Sequence, residues 1–358
     1  MAIPTIRPWQ VLAFLLGAAV IAPRPACRAQ ERLRVVASLT TYADIARQIG
    51  GDRADVVALG DGAENPHFVQ PKPSLVLVVR RADMLVTTGL DLELWLPALL
   101  DKANNTGIAS GAAGFVAVSR GMHLVEVPVT VSRSEGDTHI YGNPHVWTEP
   151  ANAVVIARNI FAGFVRLDGA HRPYYERRLA AWTERLMRAY VGDTLVDLLG
   201  VERLVDLDYA GELWSFLSSQ RFRGRPLTDR LGGWLRQGRV FRGAEMVCYH
   251  KEWSYFSRAF GVSCVEFIEP RPGIPPTPGH VARVISLMQE RGVRVLLSTN
   301  YFDRQQVRMV ASRTGATPVI VPSNVDGGPH TATYIDLVTL WVTELARAFS
   351  ARAPVADF

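Results

Sequence analysis

Lysine is almost absent from this 358-residue chain: only Lys72, Lys102 and Lys251 occur among 39 basic side chains, and the rest are arginines dispersed among 34 acids. The formal net charge of +5 therefore gathers into no basic stripe interleaved with aromatics, which argues against nucleic-acid binding. No HExxH and no GxSxG pattern occurs, so the local signatures of a zinc protease and of a nucleophile elbow are missing. Long apolar runs are missing as well, apart from one near the N-terminus. What is present is a hydrophobic share of 48% against 20% charged residues, which builds a folded core and excludes disorder, collagen and coiled coil. The length leaves room for two ordinary domains.

The N-terminal run is an address. Arg7 supplies a positive start, and Trp9 to Ile21 is apolar but short for a bilayer crossing. Cys27 and Ala29 place small residues at the −3 and −1 positions of a cleavage site. Residues 1–29 are thus expected to be a cleavable signal peptide, leaving a periplasmic protein without a membrane span. Two alternatives stand beside this: an uncleaved anchor, and lipidation of Cys27, whose preceding Arg24-Pro25-Ala26 lack the aliphatic residue of a lipobox. Removing the signal leaves Cys248 and Cys264, which in an oxidising compartment form either a disulfide or two thiols buried in neighbouring strands.

From Arg34 onward, short apolar runs alternate with helical patterns. Strands are expected at 35–39, 55–59, 84–88 and 115–118, with helices at 42–49, 74–81 and 92–103 between them. A polar loop over 128–144 follows, then a long helical pattern from Pro150 to about Tyr190. The alternation resumes with strands at 246–249, 262–268, 293–298 and 318–321, and a closing helix from Tyr334. Thr277-Pro278 read as the N-cap and first residue of a helix to Arg291. Short connections between strand and helix mean parallel sheets covered by helices. The plan is an α/β fold of two parallel-sheet, (βα)4-like lobes: residues 30–149, a spine helix over 150–191, and 192–358. An insertion at about 192–243 interrupts the alternation and is expected to sit on the second lobe.

In parallel α/β sheets, function collects in the loops after the C-terminal ends of strands. His67 lies there in Asn65-Pro66-His67, His145 in Asn143-Pro144-His145 before the spine, His250 at the end of a strand, and Asp326 past the last strand. Two come from each half and can face one cleft. Three neutral imidazoles and a carboxylate suit a tetrahedral Zn²⁺ site, whereas Mn²⁺, the less favoured ion, usually takes more oxygen. Widely spaced single histidines are weak evidence by themselves.

The chain resembles the zinc and manganese solute-binding proteins of ABC importers, the TroA-like superfamily. The resemblance runs from about Leu33 to the C-terminal helix. It is carried by Asn65-Pro66-His67 with Pro71 and Pro73, Ala82-Asp83, Gly89-Leu90 with Glu93 and Trp95, Asn143-Pro144-His145-Val146-Trp147, Tyr249-His250-Lys251 and Gly315-Ala316. It implies a metal held between two lobes joined by a rigid helix and handed to a membrane permease by a non-catalytic, monomeric carrier. It also implies ligands at His67, His145, His250 and Asp326, and histidine at the third position resembles the zinc branch. Glu269, at the end of the strand before Pro270, is the alternative fourth ligand, or a group holding a ligand imidazole. Two features depart from the family pattern. The loop at about 119–144 holds only His123 and His139 with Glu126, Glu135 and Asp137, read as solvated loop residues in preference to a weak metal-collecting loop, and the 192–243 insertion lengthens the gap between the second and third ligands. The competing functions are a zinc hydrolase with Glu64 or Asp326 as base, and a surface adhesin with a structural metal.

Overall fold

The computed structural model describes residues 1–2, 32–70, 72–128, 139–271 and 273–351. The signal-peptide segment, Cys27, Glu135 and Asp137 lie outside the described residues. The first half runs β1 (Leu33–Ala37), α1 (Thr40–Gly50), β2 (Ala54–Ala58), α2 (Pro73–Arg80), β3 (Met84–Thr87), α3 (Leu96–Ala103) and β4 (Phe115–Ala117). These strands form one parallel sheet in the order β2-β1-β3-β4. Val35, Val36, Ala37, Leu85 and Val86 are buried, as strands covered on both faces require. Helix α3 starts four residues later than its apolar pattern suggests. The reason lies in Glu93, which is drawn into the protein, where its carboxylate accepts from Ser38 Oγ (2.6 Å) and from the Thr88 amide (2.9 Å).

The expected single spine is two helices, α4 (Pro150–Leu167) and α5 (Arg172–Val191), packed against each other. Asp168 breaks the run. Its backbone leaves the helical region (φ −139°, ψ 57°), and its carboxylate accepts from Arg53 Nε, His171 Nδ1 and Tyr175 Oη at 2.9, 2.7 and 2.7 Å. Gly169 turns the chain, and Pro173 suits the first turn of the returning helix. The long helix between the sheets is therefore α5, about 30 Å long at 1.5 Å per residue. It starts on α1, where Arg178 Nε donates to Gln48 O (2.8 Å), and ends at Val191, whose carbonyl accepts from Gly232 N (2.8 Å).

The insertion follows as α6 (Asp193–Leu199), α7 (Val201–Tyr209), α8 (Leu213–Ser219), a two-residue hairpin of β5 (Arg221–Phe222) and β6 (Arg225–Pro226), and α9 (Gly233–Gln237). Contrary to expectation, its first part does not rest on the second lobe. Leu195, Leu204 and Val205 are buried among α4 and α5, and Tyr209 Oη reaches back to Gly121 O in the first lobe (2.7 Å). Its last part, α9 and the 3-10 turn Gly238–Val240, packs on the helix that closes the chain.

The second sheet is parallel, in the order β10-β9-β7-β8, from β7 (Glu245–Cys248), α10 (Ser254–Phe260), β8 (Ser263–Phe267), α11 (Pro278–Arg291), β9 (Val295–Thr299), α12 (Arg304–Thr314), β10 (Thr317–Val321) and α13 (Tyr334–Ser350). Thr277 caps α11 as its sequence predicts, accepting from His280 N. Cys248 and Cys264, in the adjacent strands β7 and β8, are joined as a disulfide. One apolar cluster runs without interruption from Val35 and Met84 through Ile160, Trp182 and Tyr190 to Met246, Leu297 and Trp341. The lobes are also stitched polar group to polar group: Thr40 Oγ1 to Val325 O (2.5 Å), Thr41 Oγ1 to Asn324 Oδ1 (2.9 Å) and Trp147 Nε1 to Ser323 O (2.7 Å).

Candidate metal centre

The same tripeptide builds two of the site's arms. In Asn65-Pro66-His67 the Asn65 Oδ1 accepts from His67 N (3.0 Å), and in Asn143-Pro144-His145 the Asn143 Oδ1 accepts from His145 N (3.0 Å). Each asparagine closes a turn on the residue two positions later, and the proline between fixes φ. Pro66 O is held in turn by Trp95 Nε1 (2.9 Å). His145, fully buried, leads into a 3-10 turn (Val146–Thr148) and α4.

The third arm comes from the other sheet. His250 follows β7, is 2% exposed, and donates through Nδ1 to Glu269 O (2.8 Å) at the end of β8. Glu269 thus serves the site through its backbone, while its carboxylate accepts from Gly273 N. The three expected histidines come together: His67 Nε2 and His145 Nε2 are 3.1 Å apart, and the His250 ring lies 5.9 and 5.7 Å from theirs. Two nitrogens on a tetrahedral Zn²⁺ stand about 3.3 Å apart, so this pair already has the spacing of two ligands.

Asp326, the fourth ligand that the resemblance implied, does not join the cluster. It is exposed, in the left-handed region (φ 58°), and its amide donates to Thr331 O (2.8 Å). Its loop packs so closely on Gly62 that a Cβ there would stand 2.1 Å from Val325 O. What joins instead is His139, which the sequence placed among solvated loop residues. Its ring stacks on His67 at 5.1 Å, and ligand nitrogens of His67, His139 and His250 all lie within 4.8 Å of one another. His139 Nδ1 donates to Asp91 Oδ1 (3.2 Å), and Ile140 N donates to Asp91 Oδ2 (2.9 Å). His123 is elsewhere, stacked on Tyr209.

The tautomers follow from the partners. Asn143 Nδ2 donates to Lys251 O (2.6 Å), so its Oδ1 is the atom facing His145 Nδ1 (2.9 Å) and must accept. His145 and His250 therefore carry the proton on Nδ1 and leave Nε2 unprotonated, and His139 likewise donates through Nδ1. The Nε2 atoms of His139 and His250 are buried without a hydrogen-bond partner. Burial, reinforced by mutual repulsion, holds the His67 and His145 imidazoles well below their usual range, and burial pushes His250 down to about 4. Neutral imidazole is the form that binds a metal ion.

Comparison with known proteins agrees with this architecture. The sequence profile of the ZnuA family, described as zinc-uptake complex component A, periplasmic, matches residues 35–190 and 229–348. The gap between those stretches takes in α6 to α8 and the small hairpin. The iron-binding protein YfeA of Yersinia pestis is 24% identical, over 94% of this chain and 92% of its own. A manganese ABC transporter substrate-binding lipoprotein, PsaA of Streptococcus anginosus, is 21% identical over 89% and 90%. A crystal structure of ZnuA superposes with a TM-score of 0.65 at 19% identity, over 89% of this chain and all of that one. The manganese-bound periplasmic metal-binding protein of Candidatus Liberibacter asiaticus superposes with a TM-score of 0.62 at 18% identity, again over 89% and all of that chain.

Proposed function

The chain belongs to the ZnuA family, and from that premise we propose that it captures Zn²⁺ in the histidine cluster and delivers it to the permease of an ABC importer. Membership makes it a metal-binding substrate-binding protein of an ABC transporter. The choice of zinc is our reading, since relatives carry iron and manganese in their names. The observation that carries it is the convergence of imidazole nitrogens, with a 3.1 Å pair at its centre, without a carboxylate within the cluster among the described residues. Mn²⁺ favours oxygen ligands, whereas a nitrogen-only set suits Zn²⁺. A hydrolase would need three ligands, an open position for water and a poised base. A fourth imidazole beside the other three favours a closed binding site instead.

On this reading the mature protein works as a monomer outside the cytoplasm, after cleavage near Ala29. Among the described residues no helix is long and apolar enough to cross a membrane. N-terminal sequencing of exported protein tests the cleavage site, and a lipid on Cys27 overturns it. Native mass spectrometry with Zn²⁺, Mn²⁺ and Fe²⁺ in equimolar competition tests the cargo. One zinc per chain is expected, and preferential retention of manganese or iron refutes the zinc assignment.

A further inference from the structure

We propose that His139 is the fourth protein ligand to the captured metal and that Asp91 positions it, so that the first lobe's own loop closes the site with a nitrogen. This rests on the reading of the histidine cluster as the capture site, and it replaces the carboxylate that the second lobe was expected to supply.

Three observations carry it. The first is chemical: His139 Nε2 is buried and bonded to nothing, although the ring's other nitrogen is engaged. A histidine paired with an aspartate merely for charge would leave Nε2 in water. Here both side chains of the pair are only 15% exposed, and a ring nitrogen of His139 lies within 4.8 Å of ligand atoms on His67 and His250. The second is a shared construction. His145 is held at Nδ1 by the Asn143 amide oxygen, His250 by the Glu269 carbonyl, and His139 by the Asp91 carboxylate. Fixing one ring nitrogen with an oxygen so that the other faces the metal is how proteins orient ligand imidazoles. The third is the use of both Asp91 oxygens on consecutive residues, one on the His139 ring and one on the Ile140 amide. Ring and backbone are both pinned, so the loop histidine is as oriented as those on strand ends.

The consequence is selectivity. Four imidazoles give an all-nitrogen tetrahedral set, which favours Zn²⁺ and discriminates against Mn²⁺, an ion that prefers oxygen and higher coordination. Four neutral ligands leave the cation's charge uncompensated within its first shell. Asp91, one hydrogen bond away through His139, supplies an offsetting negative charge.

The test uses the mature full-length protein loaded with Zn²⁺ for X-ray absorption and with Co²⁺ for visible spectroscopy. Wild type should give four imidazoles per zinc and the intense bands of tetrahedral cobalt. His139→Ala should give three imidazoles plus oxygen, weaker cobalt bands, and reduced preference for zinc over manganese. Asp91→Ala should weaken zinc binding by about 10- to 100-fold. Asp91→Asn, whose amide oxygen still accepts from Nδ1, should recover part of that. Because Asp91 acts through His139, the Asp91→Ala loss should vanish in the His139→Ala background. An unchanged zinc environment and affinity in His139→Ala, or additive losses in the double variant, overturn the proposal and leave three-histidine capture standing. A wild-type protein that takes up no zinc overturns the capture reading itself. Asp326→Ala should match wild type, and loss of one oxygen ligand in that variant would return the fourth position to the second lobe.

Discussion

His67 Nε2 and His145 Nε2, 78 positions apart in the first lobe's sequence, meet at 3.1 Å, and one of them must carry the proton that the other accepts. A divalent cation takes the place of that proton. The first lobe therefore holds a bidentate half-site, and His250 from the second lobe adds to it.

Single alanine changes at His67, His145 or His250 should each cost more zinc affinity than loss of an orienting group, hence more than about 100-fold. His123→Ala, remote and stacked on Tyr209, should be silent. Competitive titration against a chromophoric chelator measures both. Similar losses at His123 and at the three others would mean a diffuse surface site.

Burial has already driven the His67, His145 and His250 imidazoles to the neutral form, so at these three protons compete with metal only below their usual range. Zinc affinity should stay level from pH 7.5 to 6 and decline below about pH 5, not at the ordinary imidazole value near 6.5. Chelator competition at fixed free zinc across that range checks it. A midpoint near 6.5 would show that the histidines titrate as if exposed.

Replacing Cys248 and Cys264 together by serine removes a link across a sequence separation of 16. For a loop of that size the expected loss is about 3 kcal/mol in global stability. Urea unfolding of the metal-free protein measures it. An unchanged midpoint would mean that β7 and β8 are held entirely by their ladder and packing.

Asp208, at the end of α7, is raised to about 8 by burial and then by the nearby Glu149, and its Oδ2 has no partner. Its folded value lies above the unfolded value of about 3.9. The stability it contributes is full below that unfolded value and is lost as pH rises through 8. Asp208→Asn should therefore raise Tm relative to wild type more at pH 9 than at pH 5. A pH-independent difference between the two proteins would show that Asp208 is charged throughout.

The two Asn-Pro-His tripeptides were legible because their geometry is local: an asparagine, a proline and a histidine make the same turn wherever they occur. The strands, and the place of His250 at the end of one of them, followed from the alternation of apolar runs with helices. His139 was not legible. Its orientation depends on Asp91, 48 positions earlier, and a histidine in a polar loop gives no local sign that its ring will be buried. Asp326 had the family's position, yet its turn packs on Gly62 and leaves it exposed. The broken spine could have been read from Asp168-Gly169 followed by Pro173, yet the apolar spacing on either side masked it. The seat of the insertion depended on which helix faces α4 and α5 leave open, and that is decided only in three dimensions.

The apolar cluster shared by both sheets has a thermodynamic consequence. Neither lobe owns a complete interior, so the lobes should melt in one cooperative transition and a half-molecule should not fold alone. Metal bound between them then acts on the whole chain. At a free concentration 100 times Kd it adds about 2.7 kcal/mol to that single transition. A thermal scan of the intact protein would thus report occupancy of the cleft directly, through the displacement of one peak and not the appearance of a second.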